Sequence, residues 1–90
     1  DTSTYIDFVV PTTADITEVE KKVEKYLNPL AEQYEELTRK PLLMGVQNFT
    51  PDAVTLRIKL ETTSMQHNKM ARIIRRDLME LLEQYGVKVD

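Results

Sequence analysis

The 90-residue chain has no cysteine and no tryptophan, two glycines and one histidine. Each shortage closes off some chemistry. Without cysteine there is no disulfide, no thiolate nucleophile and no thiolate metal site. Gly45 and Gly86 stand in neither a GxGxxG run nor a P-loop, so the common phosphate cradles are absent. His67 has no second histidine or cysteine with which to complete a transition-metal site. It reads as an ordinary exposed residue near a helix start. The hydroxyls of Thr62, Thr63 and Ser64 lack the adjacent base that a nucleophile requires.

Two further shortages concern membranes and partners. No apolar run approaches the roughly 18–20 residues needed to span a bilayer, and no segment has the layout of a signal peptide. Charge of one sign does not dominate: 12 Lys/Arg stand against 15 Asp/Glu, a net charge of −3. Residues 1–50 hold five basic and nine acidic residues, and residues 51–90 hold seven and six. No strongly basic half exists to meet nucleic acid.

The remaining composition is that of a globular protein, 41% hydrophobic and 30% charged, and 90 residues make one domain spanning 1–90. The chain opens on Asp1 rather than Met, so we expect an excised fragment or a processed chain, with room for a membrane-spanning or catalytic part outside it.

The cleanest pattern runs from Ala53 to Glu61. Val54, Leu56, Ile58 and Leu60 alternate with Thr55, Arg57, Lys59 and Glu61. A period of two predicts a strand with one apolar and one polar face. Thr4–Val10 predicts another, with Ile6, Phe8 and Val10 on one side and Pro11 ending it. A third strand is expected over Pro41–Phe49, with Leu42, Met44 and Val46 inward and Gly45 marking a bulge. Asn48–Asp52 is turn-rich and makes these last two strands a hairpin.

Between them lie two helical patterns. Asp15 is a suitable N-cap, with Glu18 placed to reach back to its N–H. Apolar residues then recur from Ile16 through Val19, Val23, Tyr26 and Leu30 to Tyr34 and Leu37, one stripe of a long helix. Pro29 predicts a kink or two segments meeting near Asn28. Ser64 is the expected cap of a second helix, whose stripe runs from Met65 through Met70, Ile74, Leu78 and Leu82 to Tyr85. Gly86 suits its C-terminal stop. Val87–Val89 alternates once, as a short edge strand.

The order β-α-β-β-α-β, with right-handed crossovers, places the first and third strands side by side. The expected fold is α+β: a ferredoxin-like two-layer sandwich, with two helices on one face of a four-stranded sheet. Asp7 then points outward near Arg57 or Lys59, forming an ion-paired outer face. That face carries Tyr5, Asp7, Thr55, Arg57 and Lys59, too few aromatics to stack RNA bases. The second helix sets Lys69, Arg72 and Arg76 on one side. They read as a solvated face, or as an electrostatic surface toward another subunit or passing anions.

Three stretches together resemble a known family. Tyr5-Ile-Asp-Phe-Val-Val followed by Asp15-Ile-Thr-Glu-Val-Glu is similar to the start of the C-terminal cytoplasmic domain of small-conductance mechanosensitive channels. Val46 to Leu60 resembles that domain's turn and its apolar/Arg strand. Leu78, Leu82, Tyr85, Gly86 and Val87 match a helix closing on a glycine-aliphatic step. The family often continues past the last strand with a proline-containing segment, and here Asn28–Lys40 is longer than its counterpart. The resemblance implies a non-catalytic domain, without cofactor or metal, shaping a vestibule below a homoheptameric pore at the cytoplasmic side of the cell membrane. Its partners would be copies of itself and the ions and small solutes that pass nearby. It would meet the membrane only through upstream segments. The alternative is a regulatory or dimerisation domain of a cation-efflux transporter, of similar topology. Acylphosphatases share the topology too, but use a glycine- and arginine-bearing loop where this chain has Pro11-Thr12-Thr13-Ala14-Asp15.

Overall fold

The computed structural model of the chain describes residues 2–90. The elements run β1 (Thr2–Pro11), α1 (Ile16–Leu27), a single-turn α2 (Leu30–Gln33), β2 (Leu42–Phe49), β3 (Ala53–Thr62), α3 (His67–Leu81) and β4 (Lys88–Val89), with a 3-10 turn at Glu83–Tyr85 before the last strand. The sheet order is β2-β3-β1-β4, and every paired neighbour is antiparallel. This is the ferredoxin-like arrangement, with β1 and β3 paired along their whole length from Thr2–Thr62 to Pro11–Ala53.

Alternation in β3 converts directly into burial. Val54, Leu56, Ile58, Leu60 and Thr62 are buried and the intervening residues are not. Ile6, Phe8 and Val10 bring the same face of β1 beside them, each fully buried. Val19, Val23 and Leu27 of α1 and Met70, Ile74 and Leu78 of α3 close over that face. Each such side chain contributes about 1.5–3 kcal/mol on leaving water. Among the described residues no helix lies over the other sheet face, and this positions the candidate site.

Local chemistry fixes the helix ends, in part differently from expectation. Asp15 caps α1 by accepting from the Glu18 backbone N–H at 3.1 Å. The Glu18 carboxylate does not return to Asp15; it accepts from the Tyr85 hydroxyl at 2.8 Å, tying α1 to the 3-10 turn that follows α3. Pro29 divides the first helical region, as its missing N–H requires. The stripe expected to run on to Leu37 leaves the helix at Tyr34, whose backbone is extended. Leu37 is still buried, because Glu36–Thr38 runs beside the end of β3. There the Thr38 N–H donates to Glu61 O and the Thr63 N–H to Glu36 O, each at 3.0 Å.

Ser64 is not the cap of α3. The helix begins at His67 after Gln66, which offers no side-chain cap, because Met65 takes a left-handed φ of 69° and turns the chain first. Met65 is therefore 83% exposed rather than part of the apolar stripe. Gly86 has a φ of 72° at the end of the 3-10 turn, the conformation its lack of a Cβ permits.

β2 departs furthest from the sequence reading. Its register jumps between Leu43 and Gly45 and again between Val46 and Asn48. Two residues of β2 oppose one of β3 at each jump, so Met44 and Gln47 are extra and each bulge resets the alternation. Leu43, opposite Ile58, becomes the inward residue packed on the core. Leu42, Met44 and Val46 are instead 54%, 46% and 54% exposed. Gly45 sits at the first bulge with φ 91°.

Candidate functional site

The sheet face without helices is an array of paired charges. Asp7 and Arg57 are directly opposite across the β1–β3 ladder. The guanidinium donates to both carboxylate oxygens, Nε to Oδ1 at 2.8 Å and one terminal nitrogen to Oδ2 at 3.0 Å. This two-point geometry suits the planar fork of arginine and is unavailable to lysine. Arg57 also lies over the Tyr5 ring, 5.3 Å from its centroid, so one cation is shared by a carboxylate and an aromatic face.

Lys59 does not reach Asp7: it is opposite Tyr5 and pairs with Glu61 on its own strand at 3.5 Å. Arg39 meets the same carboxylate at 3.2 Å. An open groove of about 340 Å³ lies among Arg39, Lys40, Leu42, Lys59 and Glu61.

Arg57 holds the Asp7 carboxyl below the usual aspartate range: its hydrogen bonds outweigh the desolvation that pushes the other way. The lowered folded-state value means that this stabilisation is present above the ordinary aspartate pKa of about 3.9 and is lost as pH falls through the lower folded value. The Asp7→Asn variant should therefore show a flatter decline of Tm below about pH 4 than the parent chain. Equal slopes in calorimetric melts would deny the pair this role.

The α3 cations are placed separately from this face. Lys69 binds Glu36 at 2.5 Å, bridging α3 to the segment after α2. That contact lowers the Glu36 pKa. Arg76 pairs with Glu80 at 3.7 Å one turn on, both largely exposed, and Arg72 is exposed. Asp7, Arg57 and Lys59 thus share the sheet surface, while Lys69, Arg72 and Arg76 share a helix surface; the structure does not bring the two sets together.

His67 is only partly exposed, and its Nδ1 is buried without a hydrogen-bond partner. Among the described residues, no group of three or more His, Asp or Glu is placed to hold a metal ion. Thr62 is fully buried, and its hydroxyl has no hydrogen-bond partner among the described residues.

Comparison with protein-family models and with curated proteins found no match.

Sequence reasoning missed two parts of this surface. Glu61 follows the period of β3, but its partner Arg39 lies in an irregular segment with no period to place it. The stacking of Arg57 on Tyr5 depends on register as well as on strand order, since the two residues are diagonal rather than opposite.

Proposed function

We propose that this chain is a non-catalytic vestibule and assembly domain of a mechanosensitive ion channel, acting at the cytoplasmic side of the cell membrane. The observation that carries this reading is the uncovered sheet face. Its charges are consumed in pairs, Asp7 with Arg57 and Glu61 with Lys59 and Arg39. Groups paired in this way are held as surface, not poised for proton transfer. The ferredoxin-like fold and the resemblance of Val46–Leu60 and Leu78–Val87 to the channel domain support the same reading.

In such an assembly the exposed Arg72 and Arg76, with Lys69, would bias passing anions by their field. The test is patch-clamp recording of the parent protein in a stretched bilayer. Tension-gated current is expected, and reversing Lys69, Arg72 and Arg76 together to glutamate should shift the reversal potential toward cation preference in a salt gradient. Absence of tension-gated current would overturn the channel reading. Stoichiometric zinc binding by calorimetry would favour the transporter domain instead.

A further inference from the structure

The outer edge of β2 is unpaired among the described residues, and its chemistry is unusual for a free edge. Exposed edges normally carry charges that block strand addition. From Pro41 to Pro51 this one carries none. Leu42, Met44 and Val46 are each about half exposed, and Phe49 is 74% exposed. Charge appears only at the two ends, Lys40 before the strand and Asp52 after it. Both are exposed, and neither forms an ion pair among the described residues.

We infer that this edge pairs with a second copy of the same chain, β2 against β2, antiparallel about a two-fold axis at Val46. The end charges choose the occupant and the register. An antiparallel copy brings its Asp52 end to the Lys40 end of the first, and its Lys40 end to Asp52, so both contacts are attractive. Placing Lys40 opposite Asp52 also places Val46 opposite Val46 and Leu43 opposite Phe49. All three residues belong to the helix face, because β3 sets them opposite Ile58, Leu56 and Val54. Residues facing each other across a ladder share a face, so this register is consistent with the pleat and covers the exposed Phe49 with Leu43. The bulge residue Met44 meets Asn48 and the bulge residue Gln47 meets Gly45, so the two irregularities oppose each other symmetrically. The interface is isologous and joins two four-stranded sheets into one of eight.

This goes beyond the proposed function. A two-fold contact is not the contact of a seven-membered ring, so it joins domains of different rings or domains outside one, and its test does not depend on channel activity.

Sedimentation velocity of the 90-residue chain should show a concentration-dependent monomer–dimer equilibrium. Val46→Lys places two like charges at the axis and should weaken it at least about tenfold. Val46 is half exposed, so thermal melts of the variant should match the parent. Lys40→Glu and Asp52→Lys should each weaken association, and the double variant should restore it. Val46→Cys, in a chain with no other cysteine, should form an intermolecular disulfide on oxidation, since facing Cα atoms in a ladder lie about 4.5–5.5 Å apart. Met79→Cys, on an exposed site of α3, should not. A chain that stays monomeric up to about 1 mM would overturn the inference. So would a dimer that ignores Val46→Lys, and a dimer indifferent to the charge exchange would overturn the register.

Discussion

Replacing Phe8 by alanine should cost about 3–5 kcal/mol and lower Tm by about 15–30 °C. The same change at Phe49, the only other phenylalanine, should cost the monomer less than about 0.5 kcal/mol. Phe8 is fully buried at the centre of β1, opposite Leu56 of β3 on one side and Val89 of β4 on the other. Truncation there loses the transfer free energy of the ring and leaves a cavity between two strands that are themselves held by ladder bonds and cannot close over it. A 90-residue domain has only about 5–13 kcal/mol of net stability, so the variant approaches the unfolding threshold at room temperature. Phe49 is 74% exposed at the end of an edge strand, and its removal opens no cavity. Urea titrations of both variants measure the contrast. Comparable losses at the two positions would contradict the placement of the core.

That contrast also shows where the sequence was readable. Phe8 sits in a run whose alternation matches its burial, as do all the apolar residues of β3. These two strands are central, paired on both sides, and free of bulges along their shared ladder, so a period of two survives intact from sequence to structure. β2 is an edge strand with two extra residues, and period counting across a bulge inverts the assignment of faces. A period of two predicts Leu42, Met44 and Val46 inside; Leu42 instead opposes Lys59 on the outer face and Met44 is a bulge residue, whereas Val46 opposes Leu56 on the helix face and is exposed because it lies at the sheet edge. The first helix failed at its far end for a different reason. Leu37 continues the helical stripe and is buried, but through a bridge to Thr62 after the helix has ended, a coincidence of spacing that pattern alone does not separate. Of the surface site, the pairing of Asp7 with Arg57 was legible because topology makes β1 and β3 neighbours. The choice of Arg57 over Lys59 needed the register, and the contact between Arg39 and Glu61 needed the path of an irregular segment.

The Tyr26→Phe variant should lose about 1–2 kcal/mol at neutral pH, and this deficit should shrink above pH 10. Tyr26 of α1 donates to the Asp77 carboxylate of α3 at 2.5 Å, the contact that clasps the two long helices over the sheet. Both residues are partly buried, so the phenylalanine variant leaves a carboxylate with a lost donor and little water in exchange. Burial pushes the Tyr26 pKa up, and the hydrogen bond to Asp77 and the nearby negative charge push it further in the same direction. The sign of the pH effect follows. Below about pH 10 the phenol is protonated in both folded and unfolded chains, and the contact contributes in full. Above that, the unfolded chain releases the proton while the folded chain retains it, so the folded state binds more protons and loses stability as pH rises. A wholly buried phenol would lose about 1.4 kcal/mol per pH unit; for this half-buried ring, screening by solvent reduces the expected loss to about 1 kcal/mol between pH 10 and 11.5. The phenylalanine variant has no such proton to hold and should follow a flatter alkaline profile. Subtracting its denaturation free energies from those of the parent chain, pH by pH, removes the contribution of the lysines and other tyrosines common to both. A difference that stays constant from pH 8 to 11.5 would mean that Tyr26 does not retain its proton against Asp77 in the folded chain.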